Sequence, residues 1–143
     1  MSKLVIIRGL PGSGKTALAR SEANTGTMFI EPDALLMEDE EYKYTPFRYA
    51  KAKAKSLEMV TLCGIMGCDV VYADVLPTVE EVDEVISAYC IAWVTPVILK
   101  VIDMPMLTVK QSCRRNVHNV RREDIEKMAA KWEDYNKKGD RKL

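Results

Sequence analysis

The chain has 143 residues, 48% of them hydrophobic and 29% charged, proportions that suit one soluble globular domain and exclude a disordered or fibrous chain. Its 21 basic residues balance 21 acidic ones, so no overall field draws it to nucleic acid or to an acidic membrane; any such attraction has to come from a local patch. No apolar run reaches the roughly 18 residues of a spanning helix, and the N-terminus is not of signal-peptide type. Cys63, Cys68, Cys90 and Cys113 show neither a C-x-x-C pair nor a zinc spacing. The expectations are a cytoplasmic protein with reduced thiols, no membrane partner and a single domain over 1–143.

Lys3 to Ile7 is a short, β-branched apolar run of the kind a buried parallel strand requires. It leads into Gly9-Leu10-Pro11-Gly12-Ser13-Gly14-Lys15-Thr16, which fits G-x-x-x-x-G-K-[ST]. In that pattern the backbone amides of a glycine-rich turn cradle phosphates, lysine reaches the β and γ oxygens, and a hydroxyl serves Mg²⁺. Helix formers follow from Ala17 to Ala23. Strand, glycine loop and helix start are the context the motif needs, and the expected nucleotide-binding set is Gly9, Pro11, Gly12, Ser13, Gly14, Lys15 and Thr16.

Thr27 to Ile30 reads as a second strand, stopped by Glu31-Pro32 because proline cannot donate to a ladder. Asp33 then lies just past a strand's carboxyl end, the edge where open α/β sheets place ligands. The acidic run from Glu38 to Glu41 reads as a solvated loop. Thr45-Pro46 predicts a capped helix start, with the helix running to about Cys63 and stopping at Gly64 or Gly67. Arg48, Lys51 and Lys55 make a basic stripe on it.

Cys68 to Asp74 is a third, apolar strand ending in a carboxylate, comparable to the second acidic element that helps to hold Mg²⁺ in P-loop proteins. Thr78-Val79-Glu80-Glu81 is a capping box opening a helix with Val79, Val82, Ile86, Tyr89 and Trp93 on one apolar face. Pro96 to Ile102 is the fourth strand. Strands alternating with helices predict an α/β fold with a four-stranded parallel sheet, in the order 2-3-1-4 with the P-loop strand central. The segment from Asp103 to Lys110 is where a base-reading loop would lie. The last helix carries Ile125, Met128, Ala129, Trp132 and Tyr135 on one stripe, with Gly139 as its stop. The lone His118 reads as a structural histidine, and the pair Arg114-Arg115 reads as a phosphate clamp on a small lid.

Arg8 to Thr16, Asp33, Val70 to Asp74, and Arg115-Asn116-Val117-His118 with Ile125 to Met128 follow one another as in the polynucleotide kinase-like, zeta-toxin-related family of P-loop kinases, and the chain resembles that family over nearly its whole length. The resemblance implies a P-loop NTPase fold with an arginine-bearing lid, and transfer of the γ-phosphate of ATP to a hydroxyl with Mg²⁺ as cofactor. It also implies that Asp33 acts as catalytic base, Lys15 and Arg115 (or Arg114) stabilise the transferring group, and Thr16 and Asp74 serve the metal. Three departures bear on the acceptor more than on the donor. Leu36 and Asn119 stand where the phage member of the family has arginines, and Val75 replaces a polar residue. The first acceptor expected is the 5′-hydroxyl of DNA or RNA; the alternatives are a nucleoside, nucleotide or sugar, or a binding module with no acceptor chemistry. A pure binder has no need of a base at Asp33.

Overall fold

A computed structural model describes residues 2–38, 41, 42, 44–91, 96–116, 118 and 120–135. The elements are β1 (Ser2–Arg8), α1 (Lys15–Glu22), β2 (Met28–Ile30), a 3₁₀ turn (Pro32–Leu36), β3 (Met37–Glu38), β4 (Glu41–Tyr42), α2 (Pro46–Met66), β5 (Val70–Asp74), α3 (Val79–Tyr89), β6 (Val97–Asp103), α4 (Val109–Arg115) and α5 (Arg122–Ala130). Four strands pair in the order β2-β5-β1-β6, every pair parallel. Numbered among themselves they run 2-3-1-4, as the sequence predicts. β3 and β4 form a separate antiparallel pair, so the flanks of the acidic run are a small hairpin rather than a loop; residues 39 and 40 lie outside the described residues.

The continuous apolar runs of β1 and β5 follow from burial on both faces. Leu4, Ile6, Val70 and Tyr72 enter one cluster with Val60 and Cys63 of α2 and Val82, Ile86 and Tyr89 of α3. The alternate residues Val5, Ile7, Val71 and Ala73 enter a second cluster with Ala19 of α1. One helix therefore covers one face of the sheet, and two cover the other.

Local chemistry sets the helix ends. Thr45 accepts from the Arg48 amide with Pro46 at the first turn, and Gly67 ends α2 at φ 73°. The helix thus runs one turn beyond the expected end at Cys63. Gly64 has a different duty, since a Cβ there would collide with the Tyr89 backbone, meeting its carbonyl carbon at 2.8 Å. Thr78 and Glu81 complete the capping box of α3, which ends at Tyr89; Trp93 lies outside the described residues. A second capping box, Thr108 with Gln111, starts α4, so the stretch expected to hold a base-reading loop leads into a helix. The last helix is shorter than its stripe suggests. It stops at Ala130, while Trp132 stacks on the Arg8 guanidinium 4.3 Å from the ring centre and Tyr135 is buried in the larger cluster. Gly139 lies outside the described residues.

Gly64→Ala should force α2 and α3 apart and lower stability by about 1–3 kcal/mol, the usual range for overpacking. The shift of the urea unfolding midpoint measures it.

Candidate active site

β1 delivers the phosphate loop to the carboxyl edge of the sheet. Gly12 and Gly14 have φ of 81° and 93°, the left-handed region where only glycine is unstrained. Gly12 also needs its missing side chain for space: a Cβ would lie 2.6 Å from the Arg115 Cβ. The loop is therefore pressed against the end of α4, and the buried Ser112 Oγ donates to the Pro11 carbonyl at 2.6 Å. Lys15 opens α1 and folds back, its Nζ donating to the Gly9 and Leu10 carbonyls at 2.9 and 3.2 Å. Burial pushes the Lys15 pKa below the ordinary lysine value, against the opposing pull of Asp74, Asp33 and Glu31.

Thr16 Oγ1 donates to Glu31 Oε1 at 2.9 Å. Glu31 directly follows β2, and Pro32 then turns the chain into the 3₁₀ segment whose first turn carries Asp33. A cavity of about 360 Å³ opens here, lined by the loop residues Pro11, Gly12, Gly14, Lys15 and Thr16, by Glu31 and Asp33, by Tyr44 before α2 and Tyr49 on its first turn, and by Arg115, His118, Val120 and Met128 from the lid and α5. Lys15, Thr16, Asp33 and Arg115 are thus brought to one cavity. Arg114 is exposed and does not line it, and neither does Asp74. Gly9 and Ser13 shape the loop from beneath, where a Cβ on Gly9 would strike the Ser13 hydroxyl.

Asp74 is engaged by Tyr49, whose hydroxyl donates to its carboxylate with both oxygens at 2.6 Å. The Val75 amide donates to the same group at 2.8 Å. Asp74 is 2% exposed, and burial lifts its pKa to about 6, while the Tyr49 hydrogen bond and Lys53 pull the other way. The carboxylate in direct contact with Thr16 is Glu31, which the sequence suggested only as a strand stop. The sequence also gave no role to Tyr44, Tyr49, Val120 or Arg20, all of which line the cavity. His118, read as structural, lines it too. Its backbone N–H donates to the Asn116 Oδ1, and the Asn116 Nδ2 donates to the Val120 carbonyl, so one asparagine shapes the lid turn.

No family model and no curated protein sequence matches the chain. Solved structures do. A chain in the "Structure of the Pnkp1/Rnl/Hen1 RNA repair complex" superposes with a TM-score of 0.66 at 20% identity, over 97% of this chain and 46% of that one. The fold is that of the P-loop kinases. A gluconokinase from Sinorhizobium meliloti 1021 matches with a TM-score of 0.58 at 16% identity, over 95% of this chain and 78% of its own. This chain spans a little under half the length of the repair-complex chain, at 46%. Among the described residues no helix is long and apolar enough to cross a membrane.

The buried Asp74 sets a pH dependence. Its folded pKa, about 6, lies above the ordinary 3.8, so the folded chain holds this proton more tightly than the unfolded one. That contribution to stability is complete below about pH 4 and disappears as the pH rises through about 6. Asp74→Asn, which keeps an acceptor for Tyr49, should match the wild type near pH 4 and exceed it at pH 7.5 by on the order of 2 kcal/mol. Urea midpoints at the two pH values measure the difference.

Proposed function

We propose that the chain is an ATP-dependent phosphotransferase that moves the γ-phosphate to a hydroxyl, with the 5′-hydroxyl end of DNA or RNA as acceptor. The observation that carries this reading is the meeting of the phosphate-loop Lys15, the carboxylate Asp33 and the lid Arg115 in one cavity of about 360 Å³. The likeness to a chain of an RNA repair complex supports the nucleic-acid acceptor.

The roles follow from the chemistry of phosphoryl transfer, in which alignment and placed positive charge do most of the work. The loop amides of Gly12, Ser13 and Gly14 hold the phosphates, and Lys15 exchanges its two carbonyl partners for β and γ oxygens. Asp33 orients the acceptor hydroxyl and takes its proton. Arg115, at the C-terminal end of α4, neutralises the transferring group. The all-oxygen donor set of Thr16 and Glu31, with Asp74 behind it, fits the preference of Mg²⁺ for hard ligands. When bound, Mg²⁺ supplies charge to the phosphate oxygens. The cavity's modest volume and the likeness to a gluconokinase favour a small hydroxyl acceptor as the second reading.

Labelled ATP offered with a 5′-hydroxyl oligonucleotide, a nucleoside and sugar mixture, and water alone separates these readings. Label on the oligonucleotide supports the proposal, label on a small acceptor transfers the chemistry to the second reading, and tight binding with no transfer overturns both. Lys15→Ala should lose ATP binding and transfer together. Asp33→Asn should keep ATP binding and lose transfer by about 10²–10⁴-fold; wild-type turnover in that variant would remove Asp33 as the base. Arg115→Ala should cost about 10³–10⁵ in rate, with little effect from Arg114→Ala.

A further inference from the structure

Beside the phosphate loop, Glu31, Asp33 and His118 each offer a ligand atom, and the three atoms lie within 4.8 Å of one another. All three residues are half-buried and line the same cavity. Two come from the strand end and the turn after it, where Pro32 at the start of the 3₁₀ segment separates Glu31 from Asp33. The third comes from the turn after α4.

We propose that Glu31, Asp33 and His118 form a site for a first-row transition dication such as Co²⁺, Mn²⁺ or Zn²⁺, bridging the β2 edge to the lid. Donors bound to a tetrahedral ion at about 2.1 Å sit roughly 3.4 Å apart, and the three atoms already lie within 4.8 Å of one another. A supporting contact of the kind that orients ligands in metal sites is present on the Glu31 carboxylate, and a backbone hydrogen bond fixes the turn that carries His118. Thr16 Oγ1 donates to Glu31 Oε1 at 2.9 Å, and Asn116 Oδ1 accepts from the His118 amide at 3.0 Å, fixing the turn that presents the imidazole. The local charge suits a cation as well. Glu31, Asp33 and Asp74 all act on the Lys15 ammonium, whose own hydrogen bonds go to backbone carbonyls. An imidazole in the set selects transition ions over Mg²⁺ and Ca²⁺.

The proposed site has a consequence for the chain's chemistry. A cation there occupies the carboxylate of Asp33, takes Glu31 from the Mg²⁺ donor set it shares with Thr16, and ties down the lid, so these ions act as inhibitors that compete with Mg²⁺. The site itself does not depend on the phosphotransferase reading, because ligation is read without turnover.

The test is a titration of the nucleotide-free full chain with Co²⁺, followed by visible absorption. The expected result is saturable binding of one ion with a spectrum of nitrogen and oxygen ligation, lacking the intense near-ultraviolet band of cobalt–thiolate bonds. His118→Gln and Glu31→Gln should each weaken binding by at least about 10-fold, with Cys113→Ser unchanged. His118→Cys, which keeps a ligand at that place, should bind and add the thiolate band. Circular dichroism of each variant shows that it is folded. Absence of binding, a thiolate band in the wild type, or unchanged affinity in folded His118→Gln overturns the proposal.

Discussion

The guanidinium of Arg8 holds the floor of the site together. It belongs to the last residue of the central strand, is 0% exposed, and reaches three other parts of the chain. Nε and Nη2 donate to the Leu76 carbonyl at 3.0 and 2.7 Å, Nη1 pairs with Asp103 at the end of β6, and Trp132 covers its face. Leu76 has φ 48°, a conformation that costs a branched residue free energy and persists only where its surroundings impose it. Two hydrogen bonds from Arg8 to its carbonyl do so. The turn after β5, the end of β6 and the segment after α5 are thus fixed relative to the residue from which the phosphate loop departs. Removing Asp103 leaves the fully buried guanidinium without its counter-charge, a cost to stability.

Two kinds of wall rise from that floor. The sheet side is rigid: its carboxylates follow directly from strand ends, and Asp74 is clamped between the Tyr49 hydroxyl and the Val75 amide. The lid side is joined to the phosphate loop at identifiable points. Ser112 ties α4 to Pro11, Gly12 leaves room for Arg115, and Asn116 shapes the turn that follows. A change in the pose of α4 therefore reaches the phosphate loop directly, through Ser112 and Arg115.

Much of the fold was legible because its signals are local. A β-branched run before a glycine loop, a proline at the end of a short strand, and a Thr-x-x-Glu box each carry their structural meaning within a few residues. The alternation of those elements carries the parallel sense of the sheet, while the strand order rests on the choice of a central P-loop strand. The second capping box, at Thr108 and Gln111, is equally local. What the sequence hid was tertiary. Nothing around Tyr49 announces that the first turn of α2 faces Asp74, and Glu31 resembles any acidic residue at a strand end until Thr16 is seen beside it. A lone histidine gains meaning only from the carboxylates the fold brings to it.

The folded-back Lys15 bears on which ligands the loop can accept. Its ammonium has already exchanged water for two peptide carbonyls and has been carried into a dry setting before any ligand arrives. A neutral sugar or base offers it no better partners than those it holds. Only a group with concentrated negative charge repays their surrender, so the loop filters for anions by the quality of the contacts it must give up.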